Sequence, residues 1–150
     1  MSWGSTAPAA LAAIGAAVTA AVSDATVRVG PIISDEALPV VVTIGYQDQD
    51  SPVFEGEFTG EGMGALPDRE KYGINSLITV TNGDGDFQAA QTQAFTVLGE
   101  VGAVLAANQR IADTLSASLG PWTLDLQGVE GIGAIAYLHF VISIDAFTTR

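Results

Sequence analysis

The sequence predicts an α+β domain: an antiparallel-dominated β-sheet packed on one side by helices, with a long acidic loop. Three observations carry that prediction. Apolar residues recur at helical intervals in two segments, LAAIGAAVTAAV near the N-terminus and FQAAQTQAFTVLGEVGAVLAAN past the middle. Segments such as LPVVVTIGY, KYGINSLITVT and AYLHFVISI are instead dense in β-branched residues or alternate in polarity, as strands do. The resulting order is helix, strands, loop, strand, helix, hairpin, which favours segregated layers over a regularly alternating parallel sheet. At 150 residues the chain is of single-domain size and can bury about 70% of its unfolded surface. No repeat or linker-like stretch divides it, so residues 1–150 are read as one domain.

In the first helix Leu11, Ile14, Val18 and Val22 form one stripe among alanines, Ser5 or Thr6 is placed to cap it, and Pro8 suits its first turn. TVRVGPII is interrupted by Pro31. The following run of Val40, Val41, Val42, Thr43 and Ile44 predicts a central strand covered on both faces. From Gln47 to Glu70 the acids Asp48, Asp50, Glu55, Glu57, Glu61, Asp68 and Glu70 face Arg69 alone. This is the predicted acidic loop, with VFEGEFT as a short strand inside it. KYGINSLITVT is a second strong strand. The longest helix follows, with Phe87, Ala90, Ala94, Val97 or Leu98, Val101 and Leu105 on its inner face. WTLDLQGVEGIGAIAYLHFVISIDAF gives two strands around a glycine-rich turn, with Leu138, Phe140, Ile142 and Ile144 on one face.

Composition narrows the function. Seventeen acids against five bases give a net charge of −12, and the bases Arg28, Arg69, Lys71, Arg110 and Arg150 build no basic patch. A tight grip on nucleic acid needs clustered Lys and Arg, so that class is disfavoured. Charged residues are only 15% of the chain against 48% hydrophobic, which leaves little charge to cover a surface and points to an assembled subunit. The absence of cysteine removes disulfides, thiolate nucleophiles and zinc-thiolate sites. No base precedes Arg28, so the N-terminal stretch lacks the positive region of a secretory signal. It also falls short of the roughly 20 apolar residues that cross a bilayer. A soluble intracellular product without membrane association is expected.

Four groups of residues carry side chains suited to chemistry. In NGDGDF, Asn82, Asp84 and Asp86 match the first ligand positions of a calcium loop, but Phe87 stands where glycine is required and Gln93 where the bidentate glutamate belongs. A strand-to-helix corner capped by Asp86 accounts for the same letters. His139, Ser143 and Asp145 share one face of a strand, yet His139 and Ser143 are about 13 Å apart at the usual strand rise, too far for a triad. GEGMGA and GVEGIG match no phosphate-binding loop, and Glu55 and Glu57 read as ordinary surface acids. No catalytic residue, metal or cofactor is expected, and the chain is read as a non-enzyme.

The leading helix LAAIGAAVTAAV, the strand pair with an acidic insertion from VVVTIGY to GEFTGEG, the strand entering NGDGDFQAAQTQAFTVLGEVGAVLAAN and a tryptophan hairpin ending in GAIAYLHFVISIDAF together resemble a known family. It is the tail terminator, or tail completion, family of long-tailed bacteriophages. The likeness spans most of the chain and rests on element order and composition, without a diagnostic motif. It implies a structural virion protein at the head-proximal end of the tail, assembled in the bacterial host cytoplasm. Such a protein forms a homo-oligomeric ring, usually a hexamer, that caps the tail tube, stops its polymerisation and joins it to the head–tail connector protein. The tail tube protein is then a second partner, and DNA passes through the lumen without specific binding. Under this reading Asp48, Asp50, Glu55, Glu57 and Glu61 are the candidates for lumen or tube contact, where carboxylates repel phosphate. Another head–tail connector or tail tube subunit, or a small cytoplasmic ligand-binding or enzyme domain, are the alternatives.

Overall fold

The computed structural model describes residues 4–31, 38–60 and 68–149. Helix α1 (Ala7–Ala21) leads into strands β1 (Thr26–Val29), β2 (Val40–Ile44), β3 (Phe54–Thr59) and β4 (Arg69–Asn82). Helix α2 (Phe87–Ala107), a short 3-10 turn at Ile111–Asp113, and the hairpin β5 (Ser116–Val129) and β6 (Gly133–Phe147) complete the chain. The strands form one six-stranded sheet in the order β1-β2-β4-β6-β5, with β3 also paired to β4. Among the described residues only β1 and β2 run parallel; the other pairings are antiparallel. This is the α+β architecture predicted from the pattern.

Alternation puts the core on one side of the sheet. Tyr72, Ile74, Ile78 and Val80 of β4 and Leu138, Phe140, Ile142 and Ile144 of β6 point to the helices, where they meet Ile14 and Val18 of α1 and Val97 and Val101 of α2. Each fully buried side chain of this size contributes about 1.5–3 kcal/mol. Ala90 and Ala94 are wholly buried, so α2 lies close on the sheet through its small residues. The doubly covered strand expected at residues 40–44 is found, since every residue of β2 is buried.

Local chemistry sets the element ends. Asp86 caps α2 by accepting from the Ala89 N–H at 3.0 Å, and Asn82 Oδ1 accepts from the N–H groups of Asp84 at 3.0 Å and Asp86 at 3.3 Å. The NGDGDF segment is therefore the strand-to-helix corner, with Gly85 in the left-handed region at φ 75°. Phe87, placed on the inner stripe by periodicity, is instead 44% exposed and lies over Gly128 of β5. Both Val97 and Leu98 are buried.

At the start of α1 one of the two expected capping residues serves, the Ser5 hydroxyl oxygen accepting from the N–H of Ala7, the first helical residue, at 3.0 Å. Thr6 is its N-cap residue and Pro8 lies in its first turn, but the Thr6 side chain does not cap the helix. It turns to the sheet. Glu70, assigned to the acidic loop by composition, lies in β4 and is 3% exposed. Its Oε1 accepts from the Thr6 N–H at 2.6 Å and the Thr6 hydroxyl at 2.7 Å, and its Oε2 accepts from the Ser5 hydroxyl at 2.7 Å. The Thr6 hydroxyl is also 2.9 Å from the Tyr72 hydroxyl. A carboxylate at a helix N-terminus is favoured by the exposed N–H groups there. Beside it, Gly4 and Thr149 exchange backbone hydrogen bonds of 2.9 and 2.8 Å, tying the two ends of the described chain together.

Candidate functional site: the open face of the sheet

Side chains that alternate away from the helices define a second sheet face. β2 and β3 both run antiparallel to β4, one after the other: β2 lies against Ser76–Val80 and β3 against Arg69–Ile74. Between them the chain leaves the sheet and returns. Asn75 holds both ends of this excursion, accepting from Tyr46 N–H at 2.7 Å, donating its own N–H to Val53 O at 3.0 Å, and donating its side-chain amide to Pro52 O at 2.6 Å. Asp48 and Asp50 sit exposed on the excursion. Asp48 tightens it by accepting from the Asp50 N–H at 2.8 Å. Burial first, and the nearby Asp48 carboxylate second, push the Tyr46 hydroxyl above its ordinary pKa.

Register then assembles two cross-strand rows on the open face. One reads Glu57, Lys71, Asp145, Ser116 across β3, β4, β6 and β5; the next reads Glu55, Gly73, Ser143, Ser118. Because Gly73 and the serines are small, the second row is a trough, and a groove of about 710 Å³ runs along it, walled by Glu55, Glu57, Lys71 and Asp145. Arg69 grips Asp145 with both ends of its guanidinium, Nε to Oδ1 at 3.1 Å and Nη2 to Oδ2 at 2.8 Å. That pairing holds the Asp145 carboxyl below the usual aspartate range. Arg69 also lies over the Phe147 ring, 5.9 Å from its centroid.

Of the predicted contact residues, Glu55 and Glu57 come together on this face. Asp48 and Asp50 stand apart on the excursion and do not line the groove. Glu61 lies outside the described residues. The acidic segment is thus partitioned: two acids on a turn, two on a strand facing the groove, and Glu70 buried on the opposite face. Sequence reasoning missed Arg69, Lys71, Asp145 and the serines of β5 as members of one surface. The spacing of Arg69 and Lys71 two apart on a strand was a usable sign that they share a face.

His139 also faces this side, with Leu77 and Thr123 as its cross-strand neighbours, and stands edge-on to the Tyr46 ring at 5.7 Å between centroids. Asp145, the other member of the excluded triad, is engaged by Arg69. Among the described residues no group of three His, Cys, Asp or Glu side chains gathers to hold a metal ion, and no helix is long and apolar enough to cross a membrane. What the open face offers is carboxylates, hydroxyls and two cations on a shallow polar surface, suited to contact over an area. No family model matches the chain, and no curated protein matches it at a significant level.

Proposed function

We propose that this protein is the structural subunit of a closed ring of the tail-terminator kind, capping a phage tail tube and joining it to the head-side connector. The observation that carries the reading is the two-sidedness of the sheet. Helices cover one face, while the other is open over β3 and the facing lengths of β4, β6 and β5, with Glu55 and Glu57 standing there, and is closed toward β2, where Val41, Thr43 and Leu77 are buried. A subunit of this shape turns its open face to the bore and its flanks to its neighbours. Lys71 lies opposite Glu57, and Arg69 is bonded to Asp145. Glu55 has only Gly73 across from it on β4. Glu55, together with the exposed Asp48 and Asp50, therefore supplies the unbalanced negative charge that keeps a DNA duplex from adhering. Solution mass by light scattering over a range of concentrations, with negative-stain microscopy of the same sample, tests the reading. A ring of fixed subunit number is expected. Open tubes would assign the chain to the tail tube instead, and a monomer at every concentration would overturn the proposal.

A further inference from the structure

The sheet order ends at β1 and β5, and β3 adds a further edge beside β4; of these edges, those of β3 and β5 differ from each other and match. Among the described residues no strand pairs the outer edge of β3 on one side or of β5 on the other. We propose that β3 of one copy pairs antiparallel with β5 of the next, Phe54 opposite Leu119, Glu55 opposite Ser118, Gly56 opposite Ala117 and Glu57 opposite Ser116. This inference rests on the ring reading and names its seam. It would continue the sheet from subunit to subunit.

Three features of the sheet lead to this register. The first is backbone phase. Asn75 N–H donates to Val53 O, so Val53/Asn75 is a hydrogen-bonded pair. Alternation then makes Glu55/Gly73 and Glu57/Lys71 bonded pairs as well and leaves the backbone groups of Phe54 and Gly56 aimed at the free edge. On the other side Thr148 N–H donates to Asp68 O. Carried along the β4–β6 ladder, this makes Tyr72/Ile144 and Ile74/Ile142 bonded pairs, so Ile144 and Ile142 turn no backbone bond toward β5. Their partners there, Ala117 and Leu119, consequently aim their own N–H and C=O groups outward. The outward groups of the two edges sit at the same height in the sheet, at Phe54 with Leu119 and Gly56 with Ala117.

The second feature is side-chain matching. In this register Phe54 and Leu119 fall on the helix side together, and so do the small Gly56 and Ala117. On the open side each glutamate meets a serine hydroxyl. No like charges face each other. A slip of one residue would set Glu55 against Leu119 and break the match of faces, and a slip of two toward the bulge would set Phe54 against Pro121, which has no N–H to complete the bond. The third feature is where each edge stops. β5 is regular from Ser116 to Leu119 and then bulges at Gly120 and Pro121, and proline has no N–H to offer. β3 begins at Phe54, where the chain returns from its excursion. The two edges share a level at Phe54 and Leu119, so the seam is short, running from there to Glu57 and Ser116, with the last residues of β3 extending past the start of β5. Because the paired surfaces are different parts of the chain, the contact is head-to-tail, the type that closes a ring or grows without end.

The chain has no cysteine, so disulfide trapping has no background. Glu55→Cys with Ser118→Cys in one chain tests the seam. Within a subunit β3 and β5 are three strand spacings apart, about 14 Å, beyond the roughly 7 Å limit for a disulfide. Across the proposed seam the same two positions form a non-hydrogen-bonded pair with Cα atoms about 4.5 Å apart. Mild oxidation of the oligomer is expected to give a ladder of linked species on a non-reducing gel, ending at the ring's subunit number. The single variants should stay unlinked, and so should the slipped pair Glu55→Cys with Asp125→Cys. Glu57→Cys with Ser116→Cys repeats the test at the neighbouring pair should the first variant fail to fold. An oligomeric sample in which neither matched pair links would overturn the seam and leave the ring standing. Linking of the slipped pair instead would overturn the register. A sample that is monomeric throughout and does not link would overturn both.

Discussion

Glu70 and Asp145 occupy neighbouring levels of adjacent strands, β4 and β6, but on opposite faces of the sheet. Their settings could hardly differ more. Glu70 is 3% exposed and is held by two hydroxyls and one backbone N–H at the start of α1. Asp145 keeps 24% of its side-chain exposure and is held by the Arg69 guanidinium. A buried carboxylate survives only when donors surround it, since leaving it bare would cost several kcal/mol. A carboxylate in contact with water needs less, and its ion pair adds less. The helix-covered face thus uses the buried Glu70 to fasten α1, while the open face keeps its charges for contact.

The largest effect is expected from Glu70→Ala. It leaves the buried Thr6 N–H without its acceptor and removes the carboxylate from two hydroxyls, of which Thr6 keeps Tyr72 and Ser5 keeps solvent, and a loss of about 2 kcal/mol should appear in denaturant unfolding. A loss under about 0.5 kcal/mol would mean that α1 does not depend on this fastening. Asp145→Asn should cost about 1 kcal/mol or less at neutral pH. Here pH gives a further check. The folded-state pKa of Asp145 is lowered by Arg69, so its stabilisation is complete above the unfolded value of about 3.9 and fades as pH falls through the lower folded value. Wild type and Asp145→Asn should therefore converge in stability once the pH has fallen below the folded value. A gap that persists in acid would show that Asn disturbs packing and not the ion pair. The smallest stability change, within about 0.5 kcal/mol, is expected for Glu55→Lys with Glu57→Lys, since both are exposed strand positions. Its effect should lie in DNA retention, which should rise and be reversed by salt. Unchanged retention would remove the repulsive bore while leaving the comparison of the two faces intact.

Much of the fold could be read from the chain. The stripe of Ile14 and Val18, the run from Val40 to Ile44, and the alternation through Leu138, Phe140, Ile142 and Ile144 each found their predicted place, because a period of 3.6 or 2 is written in consecutive letters. The corner at NGDGDF was legible for the same reason, its bonds spanning at most four residues. The acidic stretch was misjudged as one unit. Composition sees Glu57 and Glu70 as equivalent, but strand parity sends them to opposite faces and the seven-residue spacing of Ala7 to Ile14 says nothing of where Glu70 will meet Thr6. The open-face groove was the least legible part, for its walls come from Glu55, Lys71 and Asp145 on three strands.

By itself, then, the sequence determined which segments are helix and strand, which face of each is apolar, and where the chain turns, because those follow from contacts between near neighbours. Only the tertiary structure decided that Glu70 would be buried under α1, that Arg69 would hold Asp145 across 76 positions of chain, and that the edges of β3 and β5 would share a level at Phe54 and Leu119. The physical reason is that strand pairing is a choice of register between distant segments. A shift of one residue would turn every one of these side chains to the other face.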